Sequence, residues 1–245
     1  MLSRFINNPC KVENNVTFEI QDFLIEETVG EQKKRAAVMI GRMNPPTEGH
    51  YKVIDKMKEF IRKNPEMNLS VTPIVVIVAG AKSSEDKSKN PLTADERVSF
   101  MKSSGRANGV IFLTAKNGFE AWEEVRKRGF EPIAIAAGSD RAKSYKEMLD
   151  KYYTAKDGKN IKHVIVPGLG RKDIDADSSD GALAKAVKKL QGDGEIDIAE
   201  VSGSMARAAV THGFEEAFAK IVGLANKPKL AKMMFNKIKS SMGSE

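Results

Sequence analysis

The 245-residue chain has a single cysteine, Cys10, a single tryptophan, Trp122, and three histidines. One cysteine cannot form an internal disulfide, and nothing around it has the spacing of a zinc cluster or of a cysteine-nucleophile site. A reducing compartment, the cytoplasm, is therefore expected. No stretch approaches the ~20 apolar residues that cross a bilayer. Residues 1–12 lack the apolar run of a secretory signal. A soluble protein with no membrane contact is expected. No segment repeats at a fixed period and none is low-complexity. What the chain does have is 41% hydrophobic residues, enough to close one α/β core, and 40 basic against 33 acidic side chains. The net charge of +7 suits anionic ligands without separating a nucleotide from a nucleic acid.

Short apolar runs alternate with stretches of helical spacing, the pattern of a βαβ succession and a parallel sheet. Residues 36–40 form the first run, and Val53, Ile54, Met57, Phe60 and Ile61 then share one face of a helix expected over about 49–63. Residues 73–79 are apolar on both faces, as a central parallel strand should be. Residues 110–113, 133–137 and 163–166 complete five strands, with helices beginning near Thr93, Phe119 and Asp140. The expected fold is α/β, a Rossmann-like doubly wound parallel sheet of about five strands whose ligands bind at the carboxyl ends of the strands. Residues 1–34 read as an N-terminal extension, with a β-ribbon candidate at 16–20. Residues 35–225 read as the main domain, with a Lys-, Asp- and Gly-rich insertion at about 154–195. Apolar and Lys residues alternate at helical spacing from Phe214 on, and 226–245 read as a basic C-terminal helix.

Gly41-Arg42-Met43-Asn44-Pro45-Pro46-Thr47-Glu48-Gly49-His50 lies between the first strand and the first helix. The prolines stiffen the turn, and Gly49 lets the backbone approach a ligand. Backbone amides at the helix start face an anion, His50 can donate to a phosphoryl oxygen, and Arg42 can add charge. Alone, this segment also reads as a plain turn with an incidental histidine. In Asn90-Pro91-Leu92-Thr93-Ala94-Asp95-Glu96-Arg97 the pair Thr93 and Glu96 is a capping box, which leaves Arg97 unexplained. Ser202-Gly203-Ser204-Met205-Ala206-Arg207 sets hydroxyls and an arginine around a helix start, either a second phosphate cradle or a serine cap with an exposed arginine.

In this order the three segments resemble the nucleotidylyltransferase superfamily with HxGH and ISSTxxR signatures, and within it the archaeal-type nicotinamide-mononucleotide adenylyltransferases. The first is similar to G-R-F-Q-P-x-H-x-G-H, the second to N-P-F-T-x-x-E-R, and the third to I-S-A-T-x-I-R. The likeness spans roughly residues 35–225. It implies AMP transfer from ATP to a phosphorylated acceptor, nicotinamide mononucleotide first among candidates, with release of pyrophosphate and formation of NAD. His50, Arg42 and Thr47 would be catalytic, with His50 stabilising charge on the α-phosphate. Gly41, Met43, Asn44, Gly49, Gly138, Ser139 and Asp140 would line the nucleotide, and Ser202, Ser204 and Arg207 would hold the β- and γ-phosphates. Asn90, Arg97 and Trp122 would serve the acceptor, Trp122 by stacking on the nicotinamide ring. Mg²⁺ would be bound through the triphosphate, with no dedicated protein ligands.

Thr47 stands where the pattern has its first histidine, and Gly203 where it has Ser or Ala. These departures keep open CMP or AMP transfer to another acceptor, and a retired nucleotide-binding domain with a structural or nucleic-acid-associated role. Asp140-Arg141, the tyrosines that follow and the Ser202 segment also resemble nucleotidylyltransferase-like proteins of tailed bacteriophages, which would place the chain in a host cytoplasm. A homo-oligomer is expected, and Lys227, Lys229, Lys232, Lys237 and Lys239 offer a contact for nucleic acid or protein. Asp173, Asp175 and Asp177 lack the glycine and glutamate of a Ca²⁺ loop, and His163 and His212 have no partners at metal spacing.

Overall fold

The apolar runs all become strands. The computed structural model describes residues 34–64, 71–80, 86–152, 161–166, 185–191 and 201–243, all within the unit Lys34–Glu245. In chain order these form β1 (Lys34–Gly41), α1 (Glu48–Lys63), β2 (Val71–Val78), α2 (Ala94–Ser103), β3 (Ile111–Ala115), α3 (Gly118–Lys127), β4 (Phe130–Gly138), α4 (Ser139–Tyr152), β5 (Lys162–Val166), α5 (Gly203–Thr211), α6 (Glu215–Ile221) and α7 (Pro228–Met242). The β-ribbon candidate at 16–20 lies outside the described residues, as does most of the 154–195 insertion apart from β5 and residues 185–191.

All strands are parallel, in the order β3-β2-β1-β4-β5. Successive side chains point to opposite faces of the sheet. On one face, Ala37 and Met39 of β1, Val75 and Ile77 of β2 and Ala134 and Ala136 of β4 pack with α1 through Tyr51, Ile54, Met57 and Ile61, and with Met101 of α2. On the other, Ala36, Val38, Ile40, Ile74, Val76 and Ile135 pack with Trp122 and Val125 of α3 and Leu149 of α4. Burial on both faces accounts for the unbroken apolar runs. The two prolines inside strands sit where the ladder is incomplete. β3 pairs with β2 only from Ile74, one residue past Pro73, and the β1–β4 register shifts between Ala36 and Ala37, opposite Pro132 and Ala134.

Local chemistry starts the helices where the sequence expects them. Thr93 accepts from the Glu96 amide while Glu96 Oε2 accepts from the Thr93 amide, and Asn117 accepts from Phe119 and Glu120. The C-terminal helices form a third apolar cluster with Leu92, Val187 and Leu190. In it α7 buries Ala231, Met234, Phe235 and Ile238, and Phe218 meets Phe235 edge-on at 5.4 Å. Lys237 pairs with Glu96 at 2.8 Å, and Lys227 donates to the Ser103 carbonyl at 3.2 Å, so part of the basic face ties α7 to α2. Among the described residues, no helix is long and apolar enough to cross a membrane.

Candidate active site

The strand order reverses at β1, which lies between β2 and β4, and an open parallel sheet binds ligands at such a switch point. Met39 pairs with Ala136, so Gly41 and Gly138 end neighbouring strands side by side. The segment from Gly41 to His50 and the pair Gly138-Ser139 therefore share one edge of the sheet. The Tyr145 hydroxyl of α4 donates to the Ile40 carbonyl and ties that edge together. Asp140 is the second residue of α4, and its side chain lies outside the described residues.

Between β1 and α1 the chain makes a tight excursion. Met43 is buried with φ at +50°, in the left-handed region that a long side chain seldom adopts. The Asn44–Pro45 peptide bond is cis. Three contacts hold the excursion. The Asn44 side-chain amide donates to the Leu92 carbonyl at 2.9 Å and accepts from the Leu92 amide at 3.1 Å, as a strand neighbour would. Arg97 donates to the Arg42 carbonyl. Arg207 donates to the Asn44 carbonyl at 2.8 Å and to Ser204 Oγ at 3.1 Å. The second and third segments are thus a clamp on the first.

Several residues with expected binding roles have partners within the fold. Arg97 is buried and also donates to the carbonyls of Thr93, at 3.0 Å, and Val78, at 3.1 Å, so it holds the loop where an acceptor contact was expected. Burial, together with the neighbouring Arg42 guanidinium, lowers its pKa to about 10. Asn44 uses its side-chain amide on Leu92, and the buried Met43 side chain packs into the core. The Ser202 hydroxyl caps α5 by accepting from the Met205 amide at 3.2 Å. Trp122, expected to stack on a nicotinamide ring, is fully buried in the core between α3 and the sheet. Asn90 is also buried. Arg42 remains exposed at the end of β1.

His50 is the third residue of α1, and its Nδ1 accepts from the Thr47 amide at 3.0 Å. The ring thus takes the place that glutamate or glutamine fills in an ordinary capping box. A backbone amide can only donate, so Nδ1 carries the lone pair and the ring proton of the neutral imidazole resides on Nε2. Thr47 Oγ1, 2.9 Å from the same nitrogen, adds a second contact to it. Thr47 is itself buried, so the residue that replaces a histidine serves as the orienting group for His50. The result is a fixed N–H donor on the first turn of a helix, where helix amides and dipole already favour an anion.

Gly203, the other departure, has a physical reason. A Cβ there would lie 3.1 Å from the Asn44 carbonyl oxygen and 3.2 Å from Arg207 Nη1. Glycine lets the start of α5 approach the first loop this closely, where a methyl would have to push its neighbours back by a few tenths of an ångström. Sequence reasoning overlooked Leu92, which acts through its backbone, and the chain signal for Gly203 was visible only as an oddity. Residues 38–209 match the family model described as cytidylyltransferase-like. Among curated proteins, none matches the chain.

Proposed function

The chain belongs to the cytidylyltransferase-like family, and on that premise we propose that it transfers a nucleoside monophosphate from a nucleoside triphosphate to a phosphate-bearing acceptor. An acceptor phosphate oxygen attacks the α-phosphorus, a new P–O bond forms, and the bond to the β-phosphate bridging oxygen breaks to release pyrophosphate. Nucleotidyl transfer in general follows from the family. The observation that carries the assignment to this site is the His50 imidazole, oriented by Thr47 at the switch point. Its Nε2–H would donate to the α-phosphate as charge develops there, with Arg42 and Arg207 beside the departing phosphates. Catalysis would consist of positioning and electrostatics, with no covalent enzyme intermediate.

For the donor we propose ATP, and for the first acceptor nicotinamide mononucleotide, on the resemblance of the motifs. The buried Trp122 withdraws the stacking argument for that acceptor, so CTP and other phosphorylated acceptors are tested beside it. Mg²⁺ would be held through triphosphate oxygens and would neutralise their charge. The test is pyrophosphate release from ATP and CTP against a panel of phosphorylated acceptors. At least one pair should turn over, and release from none would overturn the proposal.

The clamp has its own consequence. Gly203→Ala should move Arg207 off the Asn44 carbonyl and raise the KM for the triphosphate about tenfold, an effect of ~1.4 kcal/mol. Thermal stability should fall as well, because the added methyl crowds the Asn44 carbonyl and the Arg207–Asn44 hydrogen bond is lost. Initial-rate kinetics and a melting curve on the same sample separate the two effects.

A further inference from the structure

A cluster outside the phosphate-facing residues grips the same helix from another side. Arg106, between α2 and β3, donates to the Glu48 carboxylate and, at 3.1 Å, to Asp55 Oδ2. Its guanidinium carbon lies 4.8 Å from the centroid of the Tyr51 ring. These three partners occupy the first two turns of α1 and bracket His50, with Glu48 two residues before it and Tyr51 directly after. Tyr51 is fully buried, and the Glu48 and Arg106 side chains are only 16% and 28% exposed. Burial opposes the charge on Arg106, but its hydrogen bonds to Glu48 and Asp55 and their negative charges outweigh it and hold the guanidinium above its ordinary pKa.

A third element closes on this pair. Gly223, between α6 and α7, has φ at +66°, and a Cβ there would overlap the Glu48 carboxylate and stand 3.0 Å from Arg106 Nη1. The Glu48–Arg106 pair is therefore enclosed by the start of α1, the connection after α2 and the C-terminal helices.

We infer that Arg106 is a positioning residue for the proposed transfer: by bridging Glu48 and Asp55 and lying over Tyr51, it sets the first turn of α1 and with it the placement of His50. The inference rests on the function proposed above. A planar guanidinium bridges two carboxylates with its fork while stacking on a ring, a geometry that a lysine ammonium, a compact point charge, reproduces only in part. The rest of α1 stays anchored by Val53, Ile54, Met57 and Ile61, so loss of Arg106 loosens the first turn without dissolving the helix. A displacement of about 1 Å at a reacting centre can lower a rate by ~10²-fold.

The experiment compares wild type, Arg106→Lys and Arg106→Met by kcat, KM, melting temperature and the ring-nitrogen NMR signals of His50. Arg106→Met should lower kcat by about tenfold or more with the triphosphate KM within about twofold, and Arg106→Lys should recover part of the loss. The His50 Nδ1 signal should move from that of a lone-pair nitrogen toward a tautomer average. Unchanged kcat, unchanged His50 nitrogens, or a loss that merely follows the unfolded fraction would each overturn the role. If wild type turns over no substrate pair, the proposed function fails on its own, and the His50 signals still decide whether Arg106 places the ring.

Discussion

His50→Gln is expected to lower kcat/KM for pyrophosphate release by up to ~10²–10³, the usual effect of losing a well-placed donor at developing transition-state charge. Glutamine is chosen because it is an ordinary capping-box residue, so it can accept from the Thr47 amide as Nδ1 does now. The fold of α1 should survive and the melting temperature should stay close to wild type. His50→Ala removes both the donor and the cap, adding ~1 kcal/mol of destabilisation to a similar loss of rate. Glutamine still carries an amide N–H, so its residual rate measures how far that donor falls short of the ring Nε2–H, and full activity in both variants would remove His50 from the chemistry. The two variants separate a helix-capping histidine from a catalytic one, because only a catalytic role predicts a loss of rate at an unchanged melting temperature.

Trp122→Ala should destabilise the protein by ~3–5 kcal/mol, because it empties the space of the largest side chain in a tightly packed layer. The indole is fully buried among Ala36, Val38, Ile74, Val125 and Leu149, between the sheet and α3 and α4. That is a large part of the ~5–15 kcal/mol that holds a typical domain folded. For a chain of this length it corresponds to a fall in melting temperature of roughly 10 °C. Trp122→Phe retains most of the apolar contact and should keep most of the stability. As the only tryptophan, Trp122 reports on itself. Its emission should be that of a dry environment, unchanged by saturating nicotinamide mononucleotide, whereas quenching by that ligand in the folded protein would return the ring to the site.

The elements legible in the chain are those whose determinants are local. An uninterrupted apolar run such as 73–79 can satisfy its side chains only inside a sheet covered on both faces, and β2 lies in the centre. Thr93 with Glu96 starts α2 where a capping box should, since both hydrogen bonds close within one turn. The grouping of the three segments was legible only through their resemblance to a known arrangement. No periodicity relates Asn44 to Leu92, 48 residues apart, or to Arg207, 163 residues apart. Arg106 was not legible at all, because its partners are joined to it only by the packing of α1 against the connection after α2.

The sequence by itself determined the alternating α/β order, the helix starts, and the placement of Gly41 to His50 at the carboxyl end of the first strand. Those features follow from side-chain period, backbone capping and turn chemistry within a few residues. Only the tertiary structure decided what each side chain of that segment and its partners packs against. Asn44 faces Leu92, Arg97 faces three carbonyls, Trp122 faces the core, and Thr47 faces His50. The physical reason is that a polar group is claimed by whatever the strand order brings opposite it, and the order β3-β2-β1-β4-β5 appears in no local stretch of the chain.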